Sequence, residues 1–419
     1  MTGLALDVSR LLWRAVRAAP GGIDRLELAM AQHLLAEEPG ARFLFTDGGV
    51  IRTLHPKLAR RLVGDAAARW AGYPGDAACL RVATYLAGGE GAFPLARARL
   101  MDRQVPLVDA GRNLLAGLLY RHGGLRREAA ESLSGSAYLN LSHRNLDNPT
   151  LFAALSGARH LLCYLHDDIP LRSPGLAAPG SAQRFRHMLR QLATRPVRLV
   201  TNSAASRARI LESAAMQGLR FAQPEVVPPP VGSVFTQRTG PPASARRFFQ
   251  VPGLVTTRKN LALLAEACRR MPVSSGFDII LAGAPGLDAA QVLASLGGTP
   301  PGMRVLRAER LTDHAMAQLM RASLAVLAPS REEGFDYPVH EALAAGVPVI
   351  ASDIPAHREY VADFAVLLDP ADPAAWSLAL ADFLEHGPRH TAALAQAWRF
   401  TPPSPGKLLN MLADLARKP

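Results

Sequence analysis

The stretch Arg331-Glu-Glu-Gly-Phe-Asp-Tyr-Pro-Val-His-Glu-Ala-Leu-Ala-Ala-Gly-Val-Pro-Val-Ile-Ala-Ser-Asp353 carries two glutamates, Glu333 and Glu341, on either side of a Gly-Phe turn and a helix start. Pro338 lies where the helix can begin and Gly346 just past its end, the usual asymmetry of helix signals. The run from Val347 to Ser352 then reads as a buried strand. A helix start leaves unpaired N–H groups and a partial positive charge, which suits a phosphate. Two flanking carboxylates cannot bind that phosphate, so they should face hydroxyl groups beside it. A nucleotide sugar, with hydroxyls on both sides of a diphosphate, meets both demands.

Working outward, apolar runs at 248–251, 279–282, 305–306, 324–327 and 349–351 alternate with helical stretches, which predicts a parallel α/β sheet. An earlier series of strands is expected over 2–8, 41–46, 137–141, 161–165 and 197–201. Between the two series lies Pro224-Glu-Val-Val-Pro-Pro-Pro-Val-Gly232, followed by Gly240-Pro-Pro-Ala-Ser-Ala245. Proline at this density prevents helix and central strand, so this is the expected linker. The predicted division is a Rossmann-like domain over 1–237, a second over 238–395, and a helical tail over 396–419 returning to the first. Residues 50–130, helical in period and rich in arginine, read as a helical insertion in the first domain, over the acceptor site. In such a pair the ligand is expected in the cleft between domains.

At 419 residues the chain can build two cores, and 49% hydrophobic with 20% charged residues excludes a disordered protein. The start, Met1-Thr-Gly-Leu-Ala-Leu-Asp-Val8, reads as a strand and not as a targeting peptide. The longest uncharged stretch, 289–303, is 15 residues and too short to span a bilayer. Cys79, Cys163 and Cys268 are far apart and odd in number, against a disulfide framework or a zinc site. A cytoplasmic protein is the default expectation. The net charge of +12 is unevenly held: residues 1–240 carry 30 Lys+Arg against 18 Asp+Glu, and residues 241–419 carry 17 of each. The excess suits an anionic partner for the first half, a membrane surface among them. Arginine drift in a GC-rich genome explains it equally, since the only lysines are Lys57, Lys259, Lys407 and Lys418. No motif supports a nucleic-acid partner.

Three further segments bear on chemistry. Gly21-Gly-Ile23 follows the first strand and opens a helix, where glycine lets the backbone approach a diphosphate. Leu165-His-Asp-Asp-Ile-Pro-Leu171 ends a strand, and His166 can be a site residue or a structural hydrogen-bonding group. Gly253-Leu-Val-Thr-Thr-Arg-Lys-Asn260 follows the first strand of the second series, and Arg258 and Lys259 supply the cations a departing nucleoside diphosphate needs. Thr201-Asn-Ser203 reads as a helix cap.

Together these segments resemble the retaining family 4 glycosyltransferases of the GT-B fold, the group 1 glycosyl transferase type. The resemblance rests on Glu333-Gly-Phe-Asp-Tyr-Pro-Val-His-Glu-Ala342 against the family's Glu-Gly-Phe-Gly-x-Pro-x-x-Glu-Ala, on Gly21-Gly-Ile-Asp-Arg-Leu-Glu27, on His166-Asp-Asp-Ile-Pro170 and on Arg258-Lys-Asn260. Ala282-Gly-Ala-Pro-Gly286 resembles a base-side loop, and Asp353-Ile-Pro-Ala-His-Arg-Glu-Tyr360 extends the match without suggesting a role. In all it covers about 1–35, 137–235 and 248–385.

The resemblance implies two Rossmann-like domains facing a central cleft. It implies a nucleotide-diphosphate sugar as donor substrate, no further cofactor and no metal. The activity it implies is hexosyl transfer, with mannose a candidate, to a glycan or polyprenyl-diphosphate-linked acceptor in surface polysaccharide or lipopolysaccharide biosynthesis. The place implied is the cytoplasm, with peripheral contact at the inner face of the plasma membrane. It assigns catalytic roles to Glu333, His166, Arg258 and Lys259, and donor binding to Gly22, Gly334, Phe335 and Glu341. Glu333 would hold sugar hydroxyls and Glu341 the ribose. Two positions depart from the pattern: Leu254, where many members have arginine, and Asp336, where glycine is common. They keep a catalytically inactive binding relative in view. A nucleotide-sugar epimerase shares the architecture, but the motifs do not suggest its acid/base groups.

Overall fold

The computed structural model describes residues 2–47, 50–96, 125–127, 133–271, 276–286, 288–297, 300 and 302–418. The chain divides into two compact units: residues 1–69, 104–230 and 403–419 form one, residues 70–103 and 231–402 the other.

The first unit is built on eight strands: β1 (Gly3–Asp7), β2 (Arg42–Asp47), β3 (Val50–Leu54), β4 (Leu125–Arg127), β5 (Ser136–Asn140), β6 (His160–Leu165), β7 (Arg198–Thr201) and β8 (Glu225–Val226). Their order is β4-β3-β2-β1-β5-β6-β7-β8. Among the described strands, β2–β3 and β3–β4 pair antiparallel and the other neighbours pair parallel. Strand β6 is buried from Leu161 onward, as a parallel strand covered on both faces must be. Helix Pro405–Arg417 belongs to this unit, with Leu408, Leu412 and Ala416 buried and Arg417 paired with Glu38. The proline-rich stretch read as a pure linker contains β8, which sits at the sheet edge where proline neighbours are tolerated.

The second unit has six parallel strands: β9 (Phe248–Pro252), β10 (Phe277–Ala282), β11 (Met303–Arg307), β12 (Ala325–Ala328), β13 (Val349–Ser352) and β14 (Val366–Leu368), in the order β11-β10-β9-β12-β13-β14. This is the doubly wound Rossmann order. Alternate residues feed opposite faces: Phe249, Ile279 and Leu281 pack with helices Leu261–Arg269 and Pro373–Leu384, while Phe248, Ile280 and Leu306 turn the other way.

That second face corrects the reading of residues 50–130 as an insertion in the first domain. Helix Ala77–Leu86 packs Cys79, Val82, Tyr85 and Leu86 onto Phe248, Ile280 and Leu306, beside helix Asp313–Ala322. The two helices that follow β9 and β10 lie on the opposite face, so this apolar surface needs a cover from elsewhere in the chain. Polar contacts fix it there. Tyr85 Oη–H donates to Asp278 at 2.7 Å, the Asp76 carboxylate accepts from Cys79 N–H at 2.8 Å and from the Thr312 hydroxyl at 2.9 Å, and Ala96 N–H donates to the Val305 carbonyl at 2.8 Å. Residues 97–124 and 128–130, the rest of that expected insertion, lie outside the described residues. Among the described residues no helix is long and apolar enough to cross a membrane.

Candidate functional site

In the second sheet the chain runs outward from β9 to one side and from β12 to the other. The carboxyl ends of two such neighbouring strands frame a crevice, the usual ligand position in open α/β sheets. The turn after β9 carries Arg258 and Lys259; the loop after β12 carries Ser330, Glu333, Gly334, Phe335 and Asp336. Backbone and side chain tie the two segments together: Arg331 N–H donates to the Arg258 carbonyl at 3.0 Å, and Arg258 Nη1 donates to the Glu332 carbonyl at 2.9 Å.

Glu333 is the centre of this cluster. Its Oε1 accepts from the Ser330 hydroxyl at 2.9 Å, faces Lys259 Nζ at 2.9 Å and meets Arg258 Nη1. Burial alone would raise its pKa, but the charges of Arg258 and Lys259 outweigh that and hold the carboxyl below its ordinary range. Lys259 is the mirror case. Burial would lower its pKa, and Asp336 and Glu333 together raise it.

Asp336 now has a place. Its backbone is left-handed, φ 62°, which is the reason glycine is common at this position of the pattern. Aspartate tolerates that conformation, and its carboxylate is fully used: Oδ1 lies 3.2 Å from Lys259 Nζ and Oδ2 3.2 Å from His357 Nε2. Burial opposes the charge, but Lys259 and His357 prevail and hold the carboxyl well below the usual range. His357, fully buried, also turns Nδ1 to the Ser352 carbonyl at 2.7 Å. It lies in the segment to which the sequence assigned no role.

From Asp336 springs helix Tyr337–Ala344, with Pro338 in its first turn. It closes at Gly346, φ 75°, whose N–H reaches the Leu343 carbonyl while Val347 N–H reaches that of Ala342. Glu341 is buried on this helix. The Phe335 ring, expected at the donor, stacks on His340 at 3.8 Å between centroids. On the adjoining loop, Gly283 comes so close to the Gly253 carbonyl that a Cβ there would lie 1.9 Å from its oxygen. Leu254 is exposed.

The first unit holds the other two predicted residues at its own strand ends, beside the β1–β5 junction. Gly22 is the first residue of helix Gly22–Glu37, and Gly21 N–H donates to Asp24 Oδ2 at 2.7 Å. Asp24 is buried and meets Arg10 Nε at 2.5 Å and Arg14 Nε at 3.3 Å. One turn on, Glu27 accepts from Leu11 N–H at 2.7 Å, and burial pushes its carboxyl up to about 8, so it is neutral near pH 7. Asp7, at the end of β1, accepts from the Tyr138 hydroxyl at 2.6 Å, the Thr46 hydroxyl at 3.0 Å and Ser9 N–H at 2.8 Å. His166 follows β6. Burial pushes its pKa down to about 4, and Nε2 donates to the Leu141 carbonyl at 2.8 Å. The ring is therefore neutral near pH 7, with Nδ1 left as an acceptor for a hydroxyl, and it is not built to deliver a proton there. Ser203 is the cap expected of it, accepting from Ser206 N–H at 2.9 Å.

Arg258, Lys259 and Glu333 are thus brought into contact, with Gly334 in the same loop and Glu341 on the helix it leads into. The sequence did not assign Ser330, His357, Asp24, Arg10 or Glu27 to a site. Ser330 joins through a hydrogen bond within its own loop, and the others through polar pairing between segments. Among the described residues no three His, Cys, Asp and Glu side chains are grouped to hold a metal ion.

Comparison with known proteins bears on this region. Residues 246–386, about a third of the chain, match the family described as "Glycosyl transferases group 1". O-antigen chain mannosyltransferase B of Escherichia coli is 30% identical over 157 residues, 36% of this chain and 41% of that protein. O-antigen chain mannosyltransferase RfbU of Salmonella typhimurium is 39% identical over 62 residues, 15% of this chain and 18% of that one. The chain thus spans less than half the length of these curated relatives. Among solved structures, HepE of Anabaena, determined with UDP and with UDP-glucose, matches with a TM-score of 0.60 and 16% identity over 99% of both chains. At that identity the likeness is one of fold, the GT-B class the sequence led us to expect. Over residues 246–386 the chain is thus similar to the group 1 glycosyl transferases.

Proposed function

We propose that the protein is a retaining glycosyltransferase that moves a hexose from a nucleotide-diphosphate sugar to a glycan or polyprenyl-diphosphate-linked acceptor in surface polysaccharide synthesis. One observation carries the reading: the Arg258–Lys259–Glu333 cluster at the carboxyl ends of β9 and β12, beside a helix start, inside the segment that matches group 1 glycosyl transferases. The two O-antigen mannosyltransferases support mannose as the first sugar to test.

The chemistry follows from the charges. Departure of the nucleoside diphosphate builds negative charge on its phosphate oxygens, and cations already fixed in place stabilise it without reorganisation. Arg258 and Lys259 are so fixed, but in this state Glu333 and Asp336 neutralise them. A diphosphate would compete for both cations and release the Glu333 carboxylate toward donor hydroxyls. Asp336 would keep Lys259 oriented throughout. The start of helix Tyr337–Ala344 adds backbone dipoles, and Glu341 binds the ribose. The leaving phosphate takes the acceptor proton in front-face attack, so no enzymic nucleophile is required.

The test is product analysis with UDP, GDP and ADP sugars, mannose included, and polyprenyl-diphosphate-linked glycans. Free nucleoside diphosphate with a glycosylated acceptor is expected. An epimerised donor, or nucleotide binding without turnover, would overturn the proposal. In the active pairing Glu341→Ala should mainly raise KM for the donor, and Glu333→Ala should mainly lower kcat, by about 100-fold or more on the scale of lost transition-state contacts. Wild-type kinetics in both would remove the role assignment.

A further inference from the structure

His357 has no part in the chemistry above, yet it is bound into the same cluster. It lies in helix Pro355–Val361, 21 positions after Asp336, and is fully buried. Its ring meets two oxygens: Nδ1 lies 2.7 Å from the Ser352 carbonyl and Nε2 3.2 Å from Asp336 Oδ2. A carbonyl and an ionised carboxylate accept hydrogen bonds and cannot donate them. Burial opposes ionisation of Asp336, but Lys259 and His357 hold its carboxyl well below the usual range, so it is ionised. The ring therefore satisfies both neighbours only with a hydrogen on each nitrogen, as imidazolium. A neutral ring would turn a lone pair toward one of the two oxygens.

The other titratable and charged groups around the ring come from each element packed on it. His340, on helix Tyr337–Ala344, is pushed down to about 4 by burial and is neutral near pH 7. Asp353 and Arg358, on the segment of His357 itself, pair with each other at 2.8 Å. Lys259 lies across Asp336, at that residue's other oxygen, and the Arg258–Glu333 pair lies beyond it. Asp336 thus sits between two cations, one at each oxygen, and its charge is divided between them.

We propose that His357 is a positioning residue for the nucleoside diphosphate: by holding Asp336 Oδ2 as an imidazolium, it draws that carboxylate off Lys259 and keeps Lys259 available to a phosphate. The inference rests on the glycosyltransferase reading for its ligand. Glu333 and Asp336 face Lys259 Nζ at 2.9 and 3.2 Å, and both compete with a leaving diphosphate for its charge. Loss of His357 would leave Oδ2 a buried oxygen deprived of its partner, and the charge of Asp336 would fall on Lys259 alone. A carboxylate is thereby accommodated where glycine is common in the pattern, because a second segment supplies the cation that offsets it. The effect of His357 on the ligand must then depend on Asp336.

Calorimetry with UDP, GDP and ADP tests this on the full chain, on His357→Gln, on Asp336→Gly and on the double variant. Thermal unfolding checks that each one folds. The nucleotide that binds wild type should bind His357→Gln more weakly by about tenfold or more, within the range of couplings between contacting groups. On the Asp336→Gly background the same change should alter affinity by less than about twofold, since the carboxylate to be restrained is gone. A packing role alone would weaken binding on both backgrounds alike. Nitrogen-15 spectra of histidine-labelled protein at pH 7 should show a buried ring with slowly exchanging protons on both nitrogens, missing in His357→Gln. A wild-type spectrum with no such ring overturns the proposal whether or not the variants fold. Equal losses on both backgrounds overturn it too. If a nucleotide binds wild type and His357→Gln binds it equally well, this proposal alone falls. If none of the three binds wild type, the glycosyltransferase reading falls and takes this proposal with it.

Discussion

Replacing Asp336 by glycine would restore the residue common at this position in related sequences, and the structure predicts that it harms this protein. Two effects compete. Glycine relieves a left-handed backbone, worth about 1–2 kcal/mol per residue. Against that, the change removes the carboxylate that lies between buried Lys259 and fully buried His357. Removing one partner of a buried ion pair costs about 3–5 kcal/mol, because the remaining charge stays desolvated. Glu333 still faces Lys259, which moderates the loss, so a net destabilisation of about 2–3 kcal/mol is expected. For a unit of this size each kcal/mol moves Tm by about 2–4 °C, so the second unit should unfold roughly 4–12 °C lower at pH 7. Asp336→Asn, which loses the charge without glycine's backbone relief but keeps one oxygen as an acceptor, should also be less stable than wild type. The deficit should shrink in acid. A carboxyl with a depressed pKa contributes stability that is present above the unfolded value of 3.8 and lost as pH falls below it. Thermal unfolding of the three proteins at pH 7 and near pH 3.5 measures all of this. A glycine variant as stable as wild type at pH 7 would refute the claim that the ion pair outweighs the backbone strain.

Glu27 behaves in the opposite sense. Its carboxyl is raised from 4.5 to about 8, so its contribution is complete below pH 4.5 and declines as pH rises toward 8, by at most roughly 4–5 kcal/mol. Glu27→Gln, which keeps an acceptor for Leu11 N–H, should flatten the stability profile between pH 5 and 9; a profile as steep as wild type would exclude Glu27 as its source. Gly283→Ala should destabilise the second unit by about 2–3 kcal/mol or more, since backbone rather than a flexible side chain occupies the Cβ position; denaturant midpoints unchanged from wild type would show that the two loops can separate at little cost.

Much of the second unit was legible from sequence because its strands are short apolar runs bounded by glycine and proline. Val349-Ile-Ala-Ser352 is buried at every residue and stands where the pattern placed it. The cluster was legible in its members and not in its contacts. Arg258, Lys259 and Glu333 could be named from local motifs, whereas His357 joins them through a pairing with Asp336 across 21 positions that no local pattern encodes. Phe335 could be named from the same motif, whereas its stacking on His340 could not be read from the loop. Helix Ala77–Leu86 was recognisable as a helix. Its apolar face did not say which sheet it would cover, because hydrophobic periodicity carries no address.

That borrowed helix also sets an order of assembly. The second unit needs Tyr85 to meet Asp278, 193 positions later, and the first needs Glu38 to meet Arg417, 379 positions later. Neither unit is a continuous length of chain, so neither can mature as a ribosome delivers it from one end. Until residues 277–307 emerge, the apolar stripe of Cys79, Val82 and Leu86 has no native surface to cover. Pairings this distant make folding slow and leave sticky intermediates exposed meanwhile. Synthesis of this protein should therefore lean on chaperones more heavily than that of a chain whose two lobes follow one another. A segment cut at 246–386 would carry the family pattern and lack one of the helices that keep its sheet dry.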